Sequence, residues 1–298
     1  MKKSGSGAVY IVSAAILWGL FPVFTRILYS EGISVTDAVA ARALVAGAIY
    51  LVWGLIGGVF RGLKPRDYLF LAFYGLCSVF GTYLFYALAI KYLSAAMAAM
   101  LLYTAPAFVI LFDRIFYGEP ITRVKLTALA AAFAGSCLVV RVYDPSSLVL
   151  NLKGIALGLL AGISYSMLTV VGRKAIKLGY TPLQNTFVPS ISVALIFLVA
   201  APPWTIEIPS AKAALCYLAV GIIGSVLPYF FYLKGLSSGI SGASASILAN
   251  VEPVAATLFG MIFFADKLEP LQIVGMAIVL IGAAIPSLPN KREKRCRT

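Results

Sequence analysis

The sequence predicts an all-α integral membrane protein with ten transmembrane helices arranged as two inverted-topology five-helix repeats. Three observations predict it. The 298 residues are 61% hydrophobic and 12% charged, with a mean hydropathy of +0.96, and apolar runs recur from Ala8 to Ser287. The second half repeats the first at one offset, 147 residues. The Lys and Arg residues gather in alternate connections. A soluble domain has no means of hiding so much apolar surface, so the bilayer is the solvent.

A hydrocarbon core of about 30 Å requires roughly 20 helical residues per crossing. The apolar runs lie near 8–28, 36–60, 67–90, 94–116, 122–142, 152–175, 182–203, 210–236, 241–264 and 269–288. They are continuously apolar, whereas barrel strands are short and alternate in polarity, so helices are expected. The connections are too short for a soluble domain.

Lys2 and Lys3 precede the first run, but "AAILWGLFPVF" lacks a small-residue cleavage site, so it reads as a membrane helix, carrying Trp18. The second run holds Arg42 near its outer end, five residues after Asp37, where it is expected to snorkel or pair locally. The third places Tyr83 and Tyr86 on one face. The fourth opens with "SAAMAAM" and carries Tyr103; the fifth closes the first repeat. In the sixth, "GIALGLLAG" reads as a helix contact, and Tyr165 is the repeat mate of Trp18. After the seventh, the eighth places Tyr229 and Tyr232 on one face. The ninth opens with "SGASASI" and carries Ser246, Asn250 and Glu252; the tenth leads to the basic tail "NKREKRCRT".

The net charge of +13 raises the question of nucleic acid, and its distribution answers it. Of the 24 basic residues, 17 fall on the amino-terminal side when connections are assigned alternately. That bias places both termini in the cytoplasm and supports an even number of crossings of the cytoplasmic (inner) membrane. The tail is then an orientation signal touching anionic headgroups. Cys77, Cys137 and Cys216 lie in spans and Cys296 in the tail, with no disulfide framework.

At the offset of 147, Trp18 falls on Tyr165, Arg26 on Arg173, Gly32 on Gly179, Ser94 on Ser241, Pro106 on Pro253, Glu119 on Asp266 and Gly135 on Gly282. A one-residue slip lies near 87–92. The units are 1–147 and 148–298, the second with the tail. Five spans per unit is an odd number, so the second copy enters the membrane from the opposite side. Inverted pairs of this kind are typical of secondary transporters, whose site lies near the midplane between the repeats.

The stretches "ILWGLFPVFTRIL", "AARALVAGAIYL", "APAFVILFDRIFYGE" and "VEPVAATLFGMIFFADKLEPLQIVGMAIVLIGAAI" resemble the EamA-type drug/metabolite transporters over nearly the whole chain. Within that superfamily the chain looks most like the aromatic amino-acid exporter branch. The resemblance implies two inverted five-helix repeats and export of small metabolites, most often amino acids or related compounds.

A Tyr or Trp deep in a span needs a partner for its polar tip, and a watery central cavity supplies one. Trp18, Tyr83, Tyr86, Tyr103, Tyr165 and Tyr229, with Ser246 and Asn250, are therefore the expected lining of a substrate path. Rings of this kind stack on planar solutes or hold a cation at roughly 0.5–2 kcal/mol per contact. The small residues Ala95, Ala98 and Ala99 on one side, and Gly242 and Ala245 on the other, are expected to form two alternate closures, with plain tight packing as the competing reading.

Glu252 lies about 16 Å into the ninth span, where it binds a proton, holds a substrate ammonium, or bonds across helices beside Pro253. On a continuous helix Asn250 and Glu252 stand about 200° apart, so a cavity seeing Asn250 would turn Glu252 into neighbouring helices. With no histidine available as a relay, uniport is expected over proton-coupled antiport of drugs or aromatic cations. No HExxH or P-loop pattern supports an intramembrane enzyme, and no metal or cofactor is implied. A passive channel stays a rival. The expected partners are a small-molecule substrate and lipid; a monomer is expected, with a dimer compatible.

Overall fold

The computed structural model describes residues 2–145, 148 and 151–285, with residues 2–5 as backbone alone. The basic tail and Cys296 lie outside the described residues, as do the side chains of Lys2 and Lys3.

Helices follow the apolar runs. They are α1 (Lys2–Ser30), α2 (Val35–Ile56), α3 (Pro65–Ile90), α4 (Ala95–Leu102), α5 (Ala105–Tyr117) and α6 (Arg123–Val139) in the first half. The second half has α7 (Leu152–Lys177), α8 (Gln184–Ala200), α9 (Ala211–Ser237), α10 (Gly242–Ala249), α11 (Glu252–Phe264) and α12 (Pro270–Ala284). Seven helical stretches are long and apolar enough to cross a membrane, counting α4–α5 and α10–α11 as one each. The other three among the described residues, α6, α8 and α12, have only 17, 17 and 15 residues.

Local chemistry sets these ends. The hydroxyls of Ser34, Ser94, Thr122, Ser210 and Ser241 each accept an N–H in the first turn of the helix they precede, as does the Asn151 side chain. The second run, expected to reach residue 60, stops at Ile56 because Gly57 and Gly58 follow, Gly58 at φ 62°. The seventh stops at Ala200 because Pro202 and Pro203 offer no N–H to continue it.

The fourth and ninth runs are not continuous helices. Each breaks at mid-length, at Tyr103–Thr104 and at Asn250–Val251, just before Pro106 and Pro253, which stand in the first turn of the second half-helix. Proline removes one donor and crowds the preceding turn, so the ladder restarts there. The third and eighth runs each widen into a π turn, Leu76–Phe80 and Ile222–Val226. These turns, like Tyr83/Tyr229 and Tyr86/Tyr232, stand one residue short of the common offset. The slip expected near 87–92 is thus the return to register, completed by Ser94 and Ser241.

Packing between the halves is reciprocal. α1 packs on α9, α10 and α11, while α7 packs on α3, α4 and α5; α2 lies against its mate α8 and α6 against its mate α12. Outward-facing apolar residues such as Ile56, Leu69, Leu152, Val199 and Ile262 are more than 70% exposed, a surface that calls for lipid. Gly154, Gly158 and Gly162 pack against Leu93, Leu101 and Thr104, the helix contact expected of "GIALGLLAG".

Candidate functional site

The broken helices and α1, α3, α7 and α9 converge on an aromatic interior. Trp18, 5% exposed, lies with its ring 5.9 Å from Tyr165, 5.5 Å from Tyr229 and 5.6 Å from Tyr232. Tyr83 shares a hydrogen bond of 2.9 Å with Ser225, whose place beside it is set by the π turn of α9. Thr169 and the Tyr232 hydroxyl meet at 2.6 Å. The Tyr83 and Tyr232 hydroxyls thus each have a partner, as a low-dielectric interior demands.

Two small cavities flank this cluster, each of about 10 Å³, room for about one water molecule. The first touches Tyr165, Ser166, Thr169, Tyr232, Ser246 and Asn250, and Nδ2 of Asn250 has no hydrogen-bond partner there. The second is lined by four pairs of repeat mates, Ala43/Ser190, Ala46/Val193, Val79/Ser225 and Tyr83/Tyr229. A cavity whose walls pair off in this way lies where the two halves meet symmetrically. Neither has space for a metabolite, so this conformation is closed around its interior.

Glu252 turns toward neighbouring helices, by a different route from the one expected. The break at Asn250–Val251 ends the regular rotation on which the 200° separation depended, and the carboxylate faces the hydroxyls of Tyr103 and Tyr165. Gly19 makes this possible, since a Cβ there would stand 2.8 Å from the Glu252 carbonyl oxygen. The carboxylate also begins α11, at the positive end of that half-helix.

Arg42 also departs from expectation. It turns inward rather than snorkelling, its guanidinium 4.3 Å from the centre of the Phe21 ring and 4.6 Å from that of Tyr83. Its Nε donates to Ser225 at 2.9 Å and its Nη2 to the Gly224 carbonyl inside the π turn. Widening the turn frees carbonyls for such side chains, and Tyr50 takes the one at Val226.

The expected site residues are thus mostly brought together. Trp18, Tyr83, Tyr165 and Tyr229 form one cluster, Tyr103 joins through Glu252, Ser246 and Asn250 line the first cavity, and Tyr86 is half-buried near Glu252. The expected closures differ from each other. Gly242 sits where a Cβ would lie 2.6 Å from an Asp113 oxygen and 3.0 Å from Arg173, and Ala245 is fully buried. At the other end Ala98 is fully buried and Ala99 half-buried, but Ala95 is exposed, so the start of α4 is not sealed as the start of α10 is.

Sequence reasoning missed the charge cluster beside the start of α10. Arg173 bridges Asp113 at 2.6 Å and Glu119 at 2.5 Å, and Lys125 meets Glu119 at 3.1 Å. Burial alone would push the Glu119 carboxyl up, but hydrogen bonding and charge from Arg173, then from Lys125, outweigh it and hold the group below its ordinary range. The reciprocal pair, Arg26 with Asp266, closes at 2.8 Å. All four residues of the two reciprocal pairs stand in the repeat alignment; only the folded arrangement shows that they meet.

The sequence matches the EamA-like transporter family twice, over residues 5–141 and 152–288. An "Uncharacterized transporter" of Archaeoglobus fulgidus is 28% identical, over 94% of this chain and 95% of that protein. The "Uncharacterized inner membrane transporter YicL" of Salmonella typhimurium is 24% identical over 99% of both. A solved crystal structure superimposes with a TM-score of 0.80 over 99% of both chains at 18% identity, a likeness of fold.

Proposed function

The chain belongs to the EamA-like transporter family, a multi-pass membrane transporter rather than an enzyme, and from that premise we propose a carrier that exports small metabolites by alternating access. Its solutes are amino acids, aromatic ones included. Ten crossings form two inverted repeats, residues 1–147 and 148–298, in the cytoplasmic membrane with both termini inside. One chain encloses the whole path, so a monomer suffices.

The observation that carries this reading is the aromatic cluster of Trp18, Tyr165 and Tyr229, enclosed by both halves beside two helix breaks. Interrupted helices near the midplane expose backbone dipoles that a solute uses, and rings supply walls that hold its apolar part. Movement is by uniport, since the chain has no histidine to relay a proton to Glu252.

Reconstitution into liposomes and counterflow with labelled amino acids and aromatic cations tests the proposal. Saturable uptake stimulated by unlabelled amino acid on the far side is expected. Flux that neither saturates nor responds to the far side identifies a channel, and exchange limited to sugars or phosphates overturns the solute class.

A further inference from the structure

The interior holds two opposite charges within electrostatic reach of each other but out of direct contact. Arg42 forms no ion pair among the described residues, although its guanidinium lies between the Phe21 and Tyr83 rings inside a membrane-spanning helix. Glu252 likewise forms no ion pair; it faces the hydroxyls of Tyr103 and Tyr165, and the Arg42 charge acts on it without contact. The buried Arg173, by contrast, is matched with two acids. Uncompensated charge in a membrane interior is costly, and opposite charges there gain most by direct contact. A fold that holds them apart instead offers each of them to something else.

What lies between is a run of rings. Arg42 stacks on Tyr83, Tyr83 and Tyr229 line the same cavity, Tyr229 meets Trp18 at 5.5 Å, Trp18 meets Tyr165 at 5.9 Å, and the Tyr165 hydroxyl faces Glu252. Arg42 commits Nε to Ser225 and Nη2 to Gly224, which fixes the plane of the guanidinium. No hydrogen bond is made by its Nη1 among the described residues.

We propose that Arg42 anchors the carboxylate of the transported solute and Glu252 its ammonium, so that the solute is a zwitterionic amino acid whose apolar part lies against the rings. This rests on the carrier reading above and adds a requirement to it: both charges of the solute are recognised, by one residue from each half. Arg suits a carboxylate because its planar fork presents paired donors, which Lys does not.

The test uses three probes with one ring, L-phenylalanine, phenethylamine and 3-phenylpropionate, binding to the purified full chain measured by calorimetry. The unmodified protein is expected to bind phenylalanine most tightly. Arg42→Gln is expected to weaken phenylalanine and phenylpropionate at least about tenfold and to leave phenethylamine within about twofold. Glu252→Gln is expected to weaken phenylalanine and phenethylamine and spare phenylpropionate. Should Arg42→Gln fail to fold, Arg42→Lys, which keeps the charge and loses the fork, is expected to weaken only the two carboxylate probes. Equal weakening of all three probes, no weakening, or wild-type binding of either single-charge probe as tight as that of phenylalanine overturns the proposal. Saturable counterflow of amines alone, indifferent to Arg42, overturns it while leaving the carrier intact; no saturable flux of any solute overturns the carrier itself.

Discussion

Arg26 and Arg173 occupy equivalent places in the two halves and make the same reach, Arg26 to Asp266 at 2.8 Å and Arg173 to Glu119 at 2.5 Å. Each guanidinium also lies over an equivalent ring, Phe264 at 4.1 Å and Tyr117 at 4.8 Å. Their surroundings differ. The Arg26 pair is 55% and 45% exposed, the Arg173 pair 13% and 23%, and only Arg173 has a second acid, in the buried Asp113. One end of the molecule is therefore drawn shut around its charges and the other is loose, the asymmetry that the proposed alternating access requires of two equivalent gates.

That asymmetry predicts unequal costs. Removing one partner of a buried ion pair leaves an unpaired charge, so Arg173→Ala should cost about 3–5 kcal/mol, and Arg26→Ala less than about 1 kcal/mol. Denaturation of both variants in detergent checks this, and equal losses would contradict the gate assignment. Arg173→Ala should also raise thiol labelling of an Ala245→Cys reporter from the side of α10's start.

Ala98 and Ala245 have no room for a larger side chain, both being fully buried at the starts of the half-helices. Ala98→Trp and Ala245→Trp should therefore hold the carrier in opposite access states and abolish counterflow. Cysteines placed on the two sides report the state; the same labelling pattern in both variants would reduce these residues to ordinary packing.

Gly118 and Ala265 end equivalent helices in the same left-handed conformation, at φ 67° and 56°. A Cβ at Gly118 meets nothing, so only backbone strain matters there. Gly118→Ala should destabilise by about 1 kcal/mol and Ala265→Gly should stabilise by a similar amount. Thermal melting in detergent decides, and shifts of the same sign would refute the equivalence.

Glu119 gives a pH signature. Its carboxyl is held below the ordinary value of 4.5, so its share of stability is full above that pH and is lost as pH falls through the lower, folded value. The melting difference between wild type and Glu119→Gln should shrink as pH falls below about 4.5. Asp113, Arg173 and Lys125 face the same group, and Arg173 and Lys125 stay charged throughout that range.

Under uniport, an imposed pH gradient should leave counterflow by wild type unchanged. Glu252→Gln should then lower affinity without altering any pH dependence. A gradient that drives uptake in wild type and fails in Glu252→Gln would establish proton coupling.

Much of the fold was legible because apolar runs and landmark residues obey simple rules. Span positions followed from run length, and the equivalence of Arg26 with Arg173 from one offset. The interior was legible only by residue type. Trp18, Tyr83, Tyr165 and Tyr229 stood out as rings at depth, but nothing in their spacing says that they touch. The ninth span was read as one helix kinked at Pro253, when a new helix begins there. Arg42 was misread because a position near a helix end suits a snorkelling side chain, and the π turn that draws it inward belongs to a helix some 180 residues away.

The sequence by itself determined that the chain lives in a bilayer, where its helices run, and that its two halves are copies, because each follows from local composition and self-similarity. Tertiary structure alone decided which copies of each landmark meet, which of two equivalent ion pairs is buried, and that an arginine and a glutamate stand apart across a bed of rings. Such facts depend on contacts between segments far apart in the chain, and helix packing in lipid fixes them through shape and charge matching that no single stretch of residues encodes.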